Sequence, residues 1–296
     1  MKIYDCFMYH NEDTILDLRL NYLNKFVDFF IIVESRYNHK GEKKKLNFNI
    51  NKFSNFKNKI RYLILDKLPS NTEPINDNDS EGEKSRKYIL NGYKRDHFQR
   101  NHILKGIEDG NPEDFVLISD IDEIPNLQKV NFNSIKSKLI LFNQKMCYYK
   151  FNLYQKNYTW VGSRACKIKD LISPQWLRDI KDKAYSFWRL DVLFSKKKYS
   201  DIYFVLDGGW HFSYLNTPKL IDEKLRSYTH HREYELNSLT NIEIENRIKN
   251  RESIYNLNLD QTKNQFSEGV KLDVLETEEL PEYIQNNYKE FEKWLD

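Results

Sequence analysis

Residues 3–9, 29–33, 61–65 and 115–119 are short apolar runs, each bounded by polar or turn-forming residues. Runs of that length are too short for ordinary helices and read as strands buried on both faces. Between the first two, Leu16, Leu20, Leu23 and Val27 recur at helical spacing, and Asn11 can cap that helix. A longer helix is expected over 84–108, stopped by Gly110-Asn111-Pro112, with 70–84 as a charged surface loop. Strands alternating with helices predict βαβ units and an α/β fold built on a mainly parallel, covered sheet. After Pro125 the texture changes. Longer aromatic strands are expected at 139–154, 160–168, 186–194 and 202–206, with Gly208-Gly209-Trp210-His211 interrupting them, as a second, smaller β region. Thr217-Pro218 opens a helix, and 241–252 and 276–295 read as polar-faced helices.

Composition narrows the function classes. The chain has 296 residues and a net charge of +3, and its 20 Tyr and 18 Phe supply a sizeable core. A balance that close to neutral gives no reason to expect nucleic acid. No apolar stretch approaches the 18 or so residues of a membrane-spanning helix, and residues 1–10 do not resemble a signal peptide. Three cysteines, Cys6, Cys147 and Cys166, make no disulfide framework and show no metal spacing, so a reducing, cytoplasmic setting is expected. Neither a G-x-G-x-x-G fingerprint nor a Walker loop is present, which argues against dinucleotide and P-loop enzymes.

The sharpest chemical signal is Asp120-Ile121-Asp122, directly after an apolar run and followed by Glu123-Ile124-Pro125. In extended backbone, residues i and i+2 share a side, with Cα atoms roughly 6–7 Å apart. Ligands of open α/β sheets bind outside the carboxyl ends of strands. Two carboxylates there call for a cation, and hard oxygen ligands favour Mg²⁺ or Mn²⁺ shared with substrate phosphates. The bland alternative is a pair of solvated turn acids, Asp120 capping a helix. In the Gly208–Ser213 segment, Trp210 offers a flat face for stacking and His211 an imidazole that either completes a metal shell or sits bonded in the core.

Several strings together resemble glycosyltransferase family 17: Tyr4-Asp5-Cys6-Phe7-Met8-Tyr9 with Asn11-Glu12, Ile32-Val33-Glu34, Arg95 to Asn101, Leu117 to Pro125, and Gly209-Trp210-His211-Phe212-Ser213. They span residues 3 to about 215 in the family's order. The resemblance implies a GT-A-like fold, a UDP-sugar donor with N-acetylglucosamine as the expected sugar, a divalent ion held by D-x-D, and inversion at the anomeric carbon. Residues 1–240 then form the catalytic domain, with a nucleotide-binding half to about 125 and an acceptor half from 126, and 241–296 form a helical extension packed on it. Two departures stand out. Vertebrate members carry a membrane anchor and stem that this chain does not show, and Asp96 stands where the family pattern has Glu. A bacterial or viral enzyme modifying a glycan is the expectation, with oligomeric state left open.

Such a reaction has an acceptor hydroxyl attack the sugar while a nucleoside diphosphate departs. Asp122 is the first choice of metal ligand, with Asp120 as a metal contact through water or a ribose acceptor, and His211 as the third contact. A carboxylate must take the acceptor proton; Glu123 is nearest in sequence, with Asp207 and Asp96 as rivals. Glu34 either accepts from ribose hydroxyls or pairs with Arg36, and Asn11 and Glu12 either line the same pocket or serve the helix start. Arg95 and Arg100 either reach the donor phosphates or pair with structural acids. Tyr158, Trp160 and Arg164 form either an acceptor surface or ordinary core strand. The basic run 36–61 reads as a solvated face. Rival readings are a metal-dependent phosphohydrolase of the haloacid dehalogenase type and a non-catalytic glycan-binding protein on the same fold.

Overall fold

All four early apolar runs become neighbouring parallel strands. In the computed structural model, which describes residues 1–227, 234–235, 237–259 and 264–296, they are β1 (Ile3–Met8), β2 (Phe29–Ser35), β3 (Ile60–Leu65) and β4 (Phe115–Asp120). They lie in the order β3-β2-β1-β4. Phe7, Phe30, Ile32 and Leu117 lose all solvent contact here, as strands covered on both faces require. The crossovers are helical. α1 (Asp13–Leu23) buries Leu16, Leu20 and Leu23 at the spacing read from the sequence. Its N-cap is Glu12, without a side-chain bond, so Asn11 is not the cap. α2 (Glu81–Asn101) starts earlier than expected because Ser80 and Glu83 form a reciprocal capping box. It ends at Asn101 and hands over to a 3-10 turn at His102–Gly106.

The second half extends the same sheet and makes it mixed. β5 (Glu123–Pro125), β6 (Leu139–Tyr148), β7 (Leu153–Lys167), β8 (Ile202–Val205) and β9 (Gly209–Ser213) complete the order β3-β2-β1-β4-β7-β6-β9-β5, with β8 also on β6 and β10 (Asp273–Val274) on β7. β7 runs antiparallel to both β4 and β6, and β5 to β9, so the parallel expectation holds for the first four strands and for the β6–β8 and β6–β9 pairs but not for the sheet as a whole. The 208–211 segment does not break the strand series; most of it is β9. Gly209 makes that possible, with φ +126 and a position where a Cβ would lie 2.1 Å from the Ile124 carbonyl.

Two further expectations fail. Among the described residues no strand pairs with 186–194, which instead hold a short exposed helix, α4 (Leu190–Leu193), after α3 (Pro174–Asp179). The helix expected over 276–295 breaks into α7 (Glu282–Asn286), α8 (Tyr288–Phe291) and flanking 3-10 turns, since Pro281 cannot continue a helix from the preceding turn. α5 (Pro218–Ser227) and α6 (Asn241–Lys249) match their sequence signals. The 275–296 segment lies against the sheet: Phe151 N donates to Trp294 O at 2.9 Å, and the Phe291 ring meets Phe151 edge-on. All three cysteines are buried and unpaired. Among the described residues no helix is long and apolar enough to cross a membrane.

One buried cation fixes the turn after β4. Arg19 of α1 has no exposed surface, and its Nε and Nη2 reach the two carboxylate oxygens of Asp5 at 2.7 and 2.5 Å. Nη1 then donates to the carbonyls of Asp120, Ile121 and Glu123 at 3.2, 3.1 and 2.7 Å. Truncating one partner of such a pair strands the other's charge. Arg19→Ala should therefore cost about 3–5 kcal/mol in a chemical denaturation curve, whereas loss of a solvated surface arginine would stay within about 0.5 kcal/mol.

Candidate active site

The carboxyl ends of β1, β2 and β4 open into a cavity of about 880 Å³, the position at which α/β sheets hold ligands. Asp120 is the last residue of β4 and keeps 37% side-chain exposure beside it. Its Oδ1 lies 3.0 Å from Arg100 Nη2 and its Oδ2 3.0 Å from Arg178 Nη2. Burial alone would raise its pKa, but Arg178 and Arg100 hold the carboxyl far below the usual carboxylate range. Arg178 also forks onto Glu123, at 2.7 and 2.9 Å.

Asp122 faces a different set of partners. Its Oδ1 is 3.4 Å from His211 Nε2, and its Oδ2 is 3.6 Å from Lys224 Nζ, which is itself 3.6 Å from Glu12 Oε1. Sheet register delivers the histidine: β9 runs antiparallel to β5, pairing His211 with Glu123, and Phe212 N donates to the Asp122 carbonyl at 2.8 Å. The Trp160 ring packs 4.9 Å from the imidazole. Burial opposes charge at each of these groups and is outweighed. His211 and Lys224 hold Asp122 below its usual value, while Asp122 raises both His211 and, with Glu12, Lys224. His211 Nδ1 is buried and has no hydrogen-bond partner among the described residues.

The donor set can be tested against a divalent ion. Asp122 Oδ1 and a neutral His211 Nε2 converge closely enough for one ion to take both. The carboxylate suits Mg²⁺ or Mn²⁺, and the imidazole, a ligand typical of transition metals, favours Mn²⁺ of the two, with phosphate oxygens and water completing the shell. Among the described residues no group of three or more His, Cys, Asp or Glu side chains forms a ready-made cage. Asp120 does not fit direct coordination, because each of its oxygens already faces a guanidinium.

Other sequence candidates divide between cavity and scaffold. Asp96, Arg100, Glu12 and Trp160 line the cavity, with Asp96 bonded to Arg100 Nη1 at 2.8 Å. Glu123 lies beneath it with no exposure, its oxygens taken by Arg178, Trp160 Nε1 and the Asp120 amide, so it is sealed from an acceptor. Asp207 is outside the cavity, in positive φ and paired with Lys145 at 2.6 Å. Glu34 pairs with neither a ribose site nor Arg36; it is fully buried and accepts from Lys44 Nζ, the amides of Asn47 and Phe48, and the Tyr62 hydroxyl. Asn11 is exposed outside the lining, and Arg95 donates to the His39 carbonyl. Trp210 is core, its indole N–H bonded to the Glu279 carbonyl. Arg164 donates to the carbonyls of Leu177, Arg178 and Ile180, which pins the end of α3, and Tyr158 packs on a separate apolar cluster. Arg178 and Lys224 were not singled out from the sequence. Each is one basic residue on an otherwise ordinary helix, and no spacing marks it.

Comparison with known proteins places the chain in a family. The family model for glycosyltransferase family 17 matches residues 1–295. The chain belongs to glycosyltransferase family 17. That membership displaces the phosphohydrolase alternative. Similar curated proteins include β-1,4-mannosyl-glycoprotein 4-β-N-acetylglucosaminyltransferase of Rattus norvegicus, 25% identical over 236 residues, and that of Homo sapiens, 24% identical over 236 residues. Each alignment covers 74% of this chain and 41% of the relative, so this family-17 chain spans well under half the length of the curated relatives it matches. Those relatives are mammalian, which does not fit the expected bacterial or viral source.

The Asp122–His211 contact has a measurable pH signature. With its pKa raised above 6.5, the imidazolium stabilises the fold below that value, and the contribution fades as pH rises through the raised one. In an NMR titration of the metal-free protein, His211 should titrate above 6.5, and Asp122→Asn should bring its midpoint down.

Proposed function

We propose that this family-17 chain transfers a sugar, N-acetylglucosamine by expectation, from a UDP-sugar to a glycan hydroxyl with inversion, on a GT-A-like fold. The observation that carries the reading is the meeting of Asp120-Ile121-Asp122 with His211, Lys224, Arg100 and Arg178 at the strand ends of one concave site. In the proposed division, residues up to about 125 bind the nucleotide, 126–240 bind the acceptor, and 241–296 brace the same domain. Asp122 and His211 would hold Mn²⁺ or Mg²⁺, which when bound supplies positive charge to a departing diphosphate.

The chain's own groups do the rest. Lys224 is placed to attract phosphate oxygens and offset charge that grows as the bond to the leaving group breaks. Arg100 and Arg178 lock Asp120, leaving its remaining lone pairs to orient a hydroxyl of the donor. Of the carboxylates considered as base, only Asp96 lines the cavity, and it takes that role here. Trp160, packed on His211, offers the aromatic face toward a sugar. The acceptor and its linkage follow no particular residue.

A UDP-release screen over UDP- and GDP-sugars, with Mn²⁺ or with EDTA, tests the reading. Turnover should require UDP-sugar and the ion, and Asp122→Ala should lower kcat/KM about a hundredfold or more. Turnover indifferent to chelation would remove the metal role, and UDP or glycan binding without turnover would favour the non-catalytic reading. Asp96→Asn should lower kcat with little change in KM and abolish the acidic limb of the pH–rate profile.

A further inference from the structure

We propose that residues 181–198 dock the protein onto an anionic lipid bilayer surface, a role independent of the donor and acceptor proposed above. The segment leaves α3 and returns before β8, and its base is closed by backbone. Lys181 N donates to Lys197 O at 2.7 Å and Tyr185 N to Tyr199 O at 2.9 Å, while the Trp176 indole of α3 bonds Lys196 O at 2.7 Å. Despite that firm base, the tip turns its apolar side chains outward. Phe187, Trp188, Leu190, Leu193 and Phe194 are between 67% and 88% exposed, and among the apolar residues of 187–194 only Val192 is buried. Scattered exposed hydrophobes need no explanation, but five large ones within eight residues form a patch.

Charge identifies the occupant. Residues 181–198 hold six Lys or Arg against two Asp, a local +4 in a chain whose total is +3. The cations gather beside the apolar tip: Lys183, Arg189 and Lys198 lie 5.2, 5.5 and 5.6 Å from the centroid of the Tyr185 ring. Arg189 and Lys198 also neutralise Asp191. Trp and Phe at a tip with a basic collar suit the region where acyl chains meet anionic headgroups. A second copy meeting this patch face to face would set +4 against +4, which disfavours self-association.

Flotation with phosphatidylcholine vesicles, with and without phosphatidylserine, tests the assignment. The intact protein should float with phosphatidylserine vesicles and bind about tenfold or more weakly to pure phosphatidylcholine or in high salt. The variant F187S/W188S/F194S should lose partitioning by a similar factor, and K183E/K196E should weaken binding to the anionic vesicles. Thermal unfolding should stay unchanged in both, because the replaced side chains are exposed. An intact protein that ignores phosphatidylserine vesicles, or binding untouched by both variants, overturns the proposal. So does a dimer that the apolar variant dissociates while vesicles remain unbound. Failure of the transferase screen would leave this result standing.

Discussion

The guanidinium of Arg19 is the fixed point around which the candidate site is arranged. It sits fully buried between the Asp5 carboxylate of β1 and three carbonyl oxygens of the turn that follows β4. A buried charge is tolerated only when its donors are matched, and here the matching partners include the backbone that carries Asp120 and Asp122. The turn is therefore shaped from behind by α1, while its acidic side chains face forward into the cavity. Phe7 stacks on the guanidinium at 4.6 Å and closes the remaining face.

In front of that turn, acids and cations alternate. Arg100, Arg178 and Lys224 come from three separate helices and converge on Asp120, Asp122, Glu123 and Glu12. Such an arrangement keeps Asp120 and Asp122 ionised side by side without mutual repulsion dominating. It also gives the two aspartates different characters. Asp120 is held in place by a guanidinium on each oxygen, whereas Asp122 meets longer contacts, at 3.4 and 3.6 Å.

Much of this was legible in the sequence where local pattern and burial agree. The strand runs of the first half, the α1 stripe and the position of D-x-D at a strand end follow from periodicity that tertiary packing merely confirms. His211 was legible as a candidate because a glycine pair and a tryptophan precede it. What could not be read were long-range pairings. Glu123 looked available as a base because nothing in its vicinity along the chain announces Arg178, 55 residues away. Trp210 looked like a stacking surface for the same reason: its indole is claimed by Glu279, 69 residues later. Residues 186–194 showed a strand-like texture, but the backbone pairing of that loop stays at its base, Lys181 with Lys197 and Tyr185 with Tyr199, and does not reach the tip.

The bracing of β9 has a consequence for how the molecule comes together in time. His211 projects from a strand whose neighbouring Trp210 is tied to Glu279, and residues 291–296 bond to the chain around Phe151 and Asn152. On a ribosome, every acidic member of the site would be synthesised and free to assemble with Arg19 well before those late residues emerge. The imidazole would then be the last functional group to gain its support, so a half-made polypeptide would hold the acids and cations of the rim with no settled histidine beside Asp122.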